Sequence, residues 1–284
     1  LVLGTVALDT ITTPAGRRTR ILGGSASHFA MSARLFTTVN LVAIIGDDFP
    51  KKYITFLKKK GIVLTSLVQG KGKTFHWEGE YKEDLNTALT LNTELGVLSA
   101  FRPKIADHQK DIQYIFLANV DPDIQARLLD KMRNPRLVGL DSMNFWIQHK
   151  RKRLLRLLRR VDMYMANDAE ARALSGENNL VKAAKRLRSL GPKMIVIKKG
   201  EHGVLFFCDR FLFSFPGFPI AHVIDPTGAG DTFAGGLMGY LAKAGKMNEA
   251  TLRRALAYAT VISSFNVEAF GPQRTAVLTM PEVN

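Results

Sequence analysis

Leu137-Val138-Gly139-Leu140, Met163-Tyr164-Met165-Ala166 and Met194-Ile195-Val196-Ile197 are apolar runs of strand length, and the segments between them, Trp146 to Arg160 and Asn179 to Leu190, carry helical apolar spacing. Strand, helix and strand in regular succession give a mainly parallel sheet with helices on its faces. Working outward, Leu41 to Ile45 precedes Pro50 to Lys60, and Ile112 to Leu117 precedes Pro122 to Met132, so the pattern spans most of the chain. The expected class is α/β. Ile11 to Ile21 and Thr74 to Leu91 break the rhythm, with Thr, aromatic and charged residues in short segments around Gly16 and Gly79. Both read as hairpin-like insertions standing off the main sheet. No repeat and no Pro- or Ser-rich linker divides the chain, so residues 1–284 are expected to form one domain.

Hydrophobic types make up 46% of the 284 residues, enough for one sizeable core. No apolar run approaches the roughly 20 residues of a bilayer-spanning helix, so no membrane role is expected. The N-terminal residues lack the basic, apolar and small-residue pattern of an export signal. Cys208 is the single cysteine and follows the apolar Val204 to Phe207, which suggests a buried strand and a reducing, cytoplasmic setting. Forty Lys and Arg against 25 Asp and Glu leave a charge of +15, which favours anionic ligands without choosing among nucleotides, nucleic acid and acidic surfaces. The densest basic cluster, Lys150 to Arg160, places Leu154, Leu155, Leu157 and Leu158 on one helical face. That pattern describes a solvated helix covering a sheet, and aromatic residues are not interleaved with the charges, so nucleic acid is not expected as a partner.

The segment richest in chemistry is Asp225-Pro226-Thr227-Gly228-Ala229-Gly230-Asp231-Thr232-Phe233, followed by the small and apolar Ala234 to Met238. Its glycines permit unusual backbone angles, and the run beyond them reads as a helix. Amides at such a terminus lack intrahelical acceptors, and the helix dipole adds positive potential, so an oxyanion is stabilised there. Asp231 falls in the first turn, where a reacting hydroxyl could meet it. The dipole favours its ionised form and makes it a weak base, which suffices for a phosphoryl transfer catalysed mainly by positioning and charge stabilisation. A glycine turn with a capping Asp is the competing reading. Gly72-Lys73-Thr74 ends like a phosphate-binding P-loop, but Leu67 occupies the place of the required earlier glycine. Phe233 stands where a dinucleotide fingerprint needs its third glycine, and the histidines show no metal-binding spacing.

These residues resemble the ribokinase-like, or PfkB, family of carbohydrate kinases. The segment ending in Phe233 resembles the family's C-terminal signature. Gly23-Gly24-Ser25-Ala26 resembles its N-terminal di-glycine motif, and Gly4 to Asp9 the strand whose terminal aspartate holds acceptor hydroxyls. Asn167-Asp168-Ala169-Glu170 is similar to its Asn-x-x-Glu motif, and Lys198 to Gly203 to its nucleotide-side glycine turn. The resemblance implies a three-layer fold with a small β-strand lid, formed near residues 11–21 and 74–91. It implies ATP-dependent phosphorylation of a primary hydroxyl on a sugar or nucleoside. Asp231 would be the catalytic base, and the Gly228, Ala229 and Gly230 amides the anion hole. Asp9, Gly23, Gly24 and His28 would meet the acceptor; Asn167, Lys198, Gly200 and Gly203 would lie on the nucleotide side. Glu170 would act on Mg2+ through water, and Asp225 and Thr227, with backbone from Ala269 to Gly271, would bind K+, as in some members.

Each motif has a plainer reading. Asn167 and Glu170 have the spacing of a helix-capping pair, Gly200 and Gly203 that of a tight turn between strands, and Asp9 that of a turn residue. His28 replaces the family's usual Asn and reads either as an acceptor ligand or as a core histidine. Lys198 replaces a common Thr. Trp77 and its aromatic neighbours either stack on a nucleobase, pack strands together or form a dimer contact, and the resemblance implies homodimers paired through lids. A non-catalytic nucleotide- or sugar-sensing protein of the same fold is the alternative function.

Overall fold

Alternating strands and helices appear at once in residues 1–106: β1 (Val2–Leu3), β2 (Ala7–Thr13), β3 (Gly16–Gly23), α1 (Ser25–Ala33), β4 (Asn40–Ile45), α2 (Lys51–Lys59), β5 (Val63–Gln69), β6 (His76–Glu80) and β7 (Leu89–Glu94). The computed structural model describes all residues from 1 to 284. It divides into two units, Leu1–Ala106 with Pro219–Asn284, and Asp107–Phe218. In the first unit β1, β4 and β5 pair in parallel. The remaining four strands form a separate sheet in the order β3-β2-β6-β7.

Only the first of the two irregular segments is a simple hairpin, β2 with β3. In the second, β6 pairs antiparallel with β7 but also parallel with β2, a contact far apart in sequence. Gly79, around which the second hairpin-like segment is expected, lies inside β6 at an irregularity in the ladder. A Cβ there would come 2.1 Å from the Trp77 ring, so the glycine provides the seat for the indole. Trp77 also donates from Nε1 to Thr90 Oγ1 at 3.2 Å and packs with Ile11, Tyr81 and Phe270. Its role in this structure is strand packing.

The second unit contains β8 (Tyr114–Leu117), α3 (Pro122–Leu129), β9 (Leu137–Asp141), α4 (Asn144–His149), α5 (Arg151–Leu158), β10 (Met163–Asn167), α6 (Asp168–Ser175), α7 (Leu180–Arg188), β11 (Met194–Lys198), β12 (Val204–Phe207) and β13 (Leu212–Phe215). Strands β8 to β11 are parallel neighbours in sequence order, and β12 and β13 extend them antiparallel. Two local expectations change. The segment expected as one helix from Trp146 to Arg160 breaks at Lys150, whose φ of −127° and ψ of 27° are not helical. Cys208 lies just past β12, half-buried, where the strand has ended in a turn. Helix α5 buries Leu154, Leu157 and Leu158 and leaves Leu155 half-exposed. Full burial of each leucine is worth about 2 kcal/mol, so three anchor the helix firmly despite its charge.

The C-terminal part of the first unit is helical: α8 (Ala229–Ala244), α9 (Glu249–Asn266), α10 (Gln273–Val277) and α11 (Met280–Val283). Helix α8 is buried from Thr232 to Gly239 because its small residues let two other backbones approach. A Cβ on Gly235 would sit 2.3 Å from Phe29 O on α1, and one on Gly236 would sit 3.0 Å from Ala259 Cα on α9. These contacts fix where the N-terminus of α8 points.

Candidate active site

That N-terminus is the Gly-rich turn. Gly228 is the N-cap residue of α8, with φ of 75° and ψ of 2°, a left-handed conformation that suits glycine. No side chain caps the helix, so its first amides are not consumed by one. Of the three amides expected to form the anion hole, that of Ala229 donates to Pro226 O at 3.2 Å and closes a turn. Gly228 and Gly230 are the two whose amides have no such acceptor. Asp231 stands in the first turn, half-exposed. The turn is braced from within: buried Asp225 accepts from the Thr227 amide through Oδ1 and from the Gly271 amide through Oδ2, both at 2.9 Å.

Asp9, at the irregularity in β2, is 4% exposed. Its Oδ2 accepts from the Gly24 amide at 3.2 Å, while Oδ1 is buried without a hydrogen-bond partner. A Cβ on Gly23 would lie 1.9 Å from Oδ2, so that glycine makes room for the carboxylate. Burial pushes the Asp9 carboxyl up to about 7; the Gly24 hydrogen bond opposes this, and the charges of Asp225 and Asp231 add to it. Tyr81, following β6, receives a hydrogen bond from Thr227 Oγ1 at 3.3 Å. Burial and the same three carboxylates hold its hydroxyl near 12. Asp9, Tyr81, the Thr227 turn and Asp231 therefore form one polar cluster in the first unit.

His28 is buried in the first unit. It is 1% exposed, and a Cβ on Gly228 would fall 2.3 Å from its ring. The ring thus lies beneath the Gly-rich turn.

In the second unit the ends of three parallel strands assemble another polar group. Lys198, ending β11, pairs in register with Asn167, ending β10; Met165 on β10 pairs with Asp141, ending β9. Lys198 Nζ donates to Asp141 Oδ2 at 2.9 Å, with both side chains largely buried. Asn167 and Glu170 form a reciprocal capping box at 2.8 Å in both directions, so the plainer reading of that pair is realised. The Tyr164 hydroxyl, bonded to Ser142 Oγ, is held well above its usual range by burial and by the Glu170 and Asp141 charges. Gly200 and Gly203 belong to a tight turn joining β11 to β12, in which the Lys199 amide donates to Gly203 O at 2.7 Å. At Gly203 a Cβ would meet Phe215 O at 2.1 Å, so packing alone demands glycine there. No group of three or more His, Cys, Asp or Glu is placed to hold a metal ion.

The sequence pattern of the pfkB family of carbohydrate kinases matches residues 9–279. A cytidine kinase of Thermococcus kodakarensis is 34% identical over 247 residues, covering 84% of this chain and 87% of that one. The chain belongs to the pfkB family. Solved structures agree on the fold: a Burkholderia thailandensis nucleoside kinase in complex with inosine superposes with a TM-score of 0.83 at 20% identity, covering 99% of this chain and 95% of that one. A putative ribokinase II from Escherichia coli, in complex with ATP and Mg2+, gives 0.81 at 17% identity over 99% and 96%. The pfkB kinase described here is thus a sugar or nucleoside kinase with the ribokinase-like α/β fold. Two cluster residues escaped the sequence reading: Tyr81 was one aromatic among several, and Asn266, which contacts Thr227, His28 and Thr232, lies in no motif.

Proposed function

We propose that this kinase transfers the γ-phosphoryl group of ATP to the primary hydroxyl of a nucleoside, with Asp231 as base and the Gly228 to Gly230 turn as anion hole. The observation that carries this reading is Asp231 in the first turn of α8, beside the Gly228 and Gly230 amides. Asp231 orients the attacking hydroxyl and takes its proton as the oxygen–phosphorus bond forms; the amides stabilise negative charge on the transferring group. Asp9 binds acceptor hydroxyls: its buried, unpartnered Oδ1 is an acceptor that a sugar hydroxyl would satisfy. The 34% identity to a cytidine kinase supports a nucleoside over a plain sugar. The four-stranded sheet would act as the lid, and Leu89 and Leu91, 50% and 53% exposed on its edge strand, support pairing into a homodimer.

On the nucleotide side, Lys198, Asn167 and the Gly200 to Gly203 turn would meet the phosphates and base. Mg2+ supplies charge neutralisation when it arrives with ATP. Glu170 would hold it through water, a fit consistent with an ion that keeps several waters and needs few carboxylates. Asp225, buried and accepting from the Thr227 and Gly271 backbone amides, fits a K+ site with Thr227 and the Ala269 to Gly271 backbone. The test is ATP consumption against cytidine, adenosine, inosine, ribose and fructose, with 5′-deoxycytidine as control. Turnover with nucleosides and none with the 5′-deoxy compound is expected. Phosphorylation of the 5′-deoxy compound, or of sugars alone, overturns the proposal.

A further inference from the structure

The Gly228 amide can stabilise charge only if its peptide plane is aimed, and the structure contains a device that aims it. Asn266, fully buried at the end of α9, donates from Nδ2 to Thr227 O at 2.9 Å. Thr227 C=O and Gly228 N–H belong to one planar trans peptide and point in opposite directions. Holding the carbonyl toward α9 therefore turns the Gly228 amide away from α9.

The Asn266 side chain is itself fixed on its other edge. Oδ1 accepts from Thr232 Oγ1 at 2.9 Å and lies 3.0 Å from His28 Nδ1. A flipped amide would set Oδ1 against the Thr227 carbonyl, two acceptors face to face, so the orientation is unique. It follows that His28 carries its proton on Nδ1. Burial lowers the His28 pKa and keeps the ring neutral, which leaves Nε2 as the buried nitrogen without a partner. The His28 ring also closes the space under Gly228, where a Cβ would strike it at 2.3 Å. Thr227 is thus held through its amide by Asp225, through its hydroxyl by Tyr81 and through its carbonyl by Asn266.

We propose that Asn266 is a positioning residue for phosphoryl transfer, aiming the Gly228 amide through Thr227 O while His28 and Thr232 hold its orientation. This inference rests on the proposed role of the Gly228 turn. Asn266→Asp is the informative variant. It keeps an acceptor for His28 and Thr232 but, when ionised, sets a negative oxygen against the Thr227 carbonyl. At pH 8 its kcat is expected to fall on the order of 100-fold, the usual cost of one misplaced anion-hole donor. KM for ATP and for nucleoside should stay within about threefold, since the loss belongs to the transition state. A buried carboxyl has a raised pKa and, once protonated, can again donate to Thr227 O. The ratio of variant to wild-type kcat should therefore rise as pH falls from about 8 to 6, a recovery that a merely structural role would not give. A kcat within about threefold of wild type at pH 8, or a loss carried by KM alone, overturns the proposal. If Asn266→Asp does not fold, Thr232→Val decides: a kcat several-fold lower at constant KM supports the proposal, and an unchanged kcat overturns it. Asp231→Asn assayed in parallel separates the two claims. Near-normal turnover there removes the site reading itself, whereas loss there with full activity in Asn266→Asp removes only the positioning role.

Discussion

Asp9 illustrates how a side chain proposed to bind the acceptor works against its own fold. Its carboxyl titrates near 7 in the folded chain and near 4 when unfolded, so between these values the folded state binds the extra proton. Stability from this group is therefore fully present below about pH 4 and lost as pH rises to 7, by up to roughly 4 kcal/mol. Asp9→Asn should flatten that loss: its melting temperature should exceed wild type at pH 8 and fall back toward it at pH 5. If Asp9 binds the acceptor as proposed, the same variant should raise KM for the nucleoside, because the buried oxygen that would receive a hydroxyl becomes part of a neutral amide. Melts at the two pH values, combined with steady-state kinetics, check both halves. Asp9, Asp231 and the glycines around them are legible in the sequence because local backbone needs and chemistry coincide at each. Asn266 and Tyr81 are not, because their partners lie 39 and 146 residues away and no local pattern encodes such a contact. His28 is half legible: the sequence places it beside the di-glycine turn, but its packing under Gly228 is a long-range contact that no local pattern encodes.

Elements were read most accurately where period and burial agree. Strands β9, β10 and β11 fall within one residue of the apolar runs that announced them, since buried parallel strands tolerate no polar interruption. The second sheet is less legible, because β2 pairs with β6 across more than sixty residues and Gly79 lies within a strand, against an indole. Two predictions belong to this scale. Gly235→Ala puts a methyl 2.3 Å from Phe29 O, a backbone atom that cannot step aside alone, so α1 and α8 must separate. A loss of about 1–3 kcal/mol in denaturant unfolding is expected. Helix α5 makes the opposite case. Lys150 pairs with Asp121 and Asp123, Arg160 with Asp130, and Arg151 donates to Ala173 O and Leu174 O. Much of the basic cluster is thus spent on its own surroundings. Replacing Arg156 and Arg159 by Gln should change stability by no more than about 0.5 kcal/mol and leave kinase turnover unaltered. Steeply salt-dependent nucleic-acid binding that these changes abolish would contradict that reading.

Across the whole molecule, the family pattern runs from residue 9 to residue 279 and unites the motifs that carry chemistry. None of them is decisive singly, for each glycine turn and capping box has a structural use visible in the coordinates. Their joint order specifies a kinase. No helix is long and apolar enough to cross a membrane. The central claim is that a carboxylate and backbone amides at the head of α8 perform the transfer, and it is tested most directly by single-turnover kinetics of Asp231→Asn with ATP and cytidine. The account predicts a rate lower by roughly 100-fold to 10,000-fold, with ATP affinity retained. A rate close to wild type would contradict it.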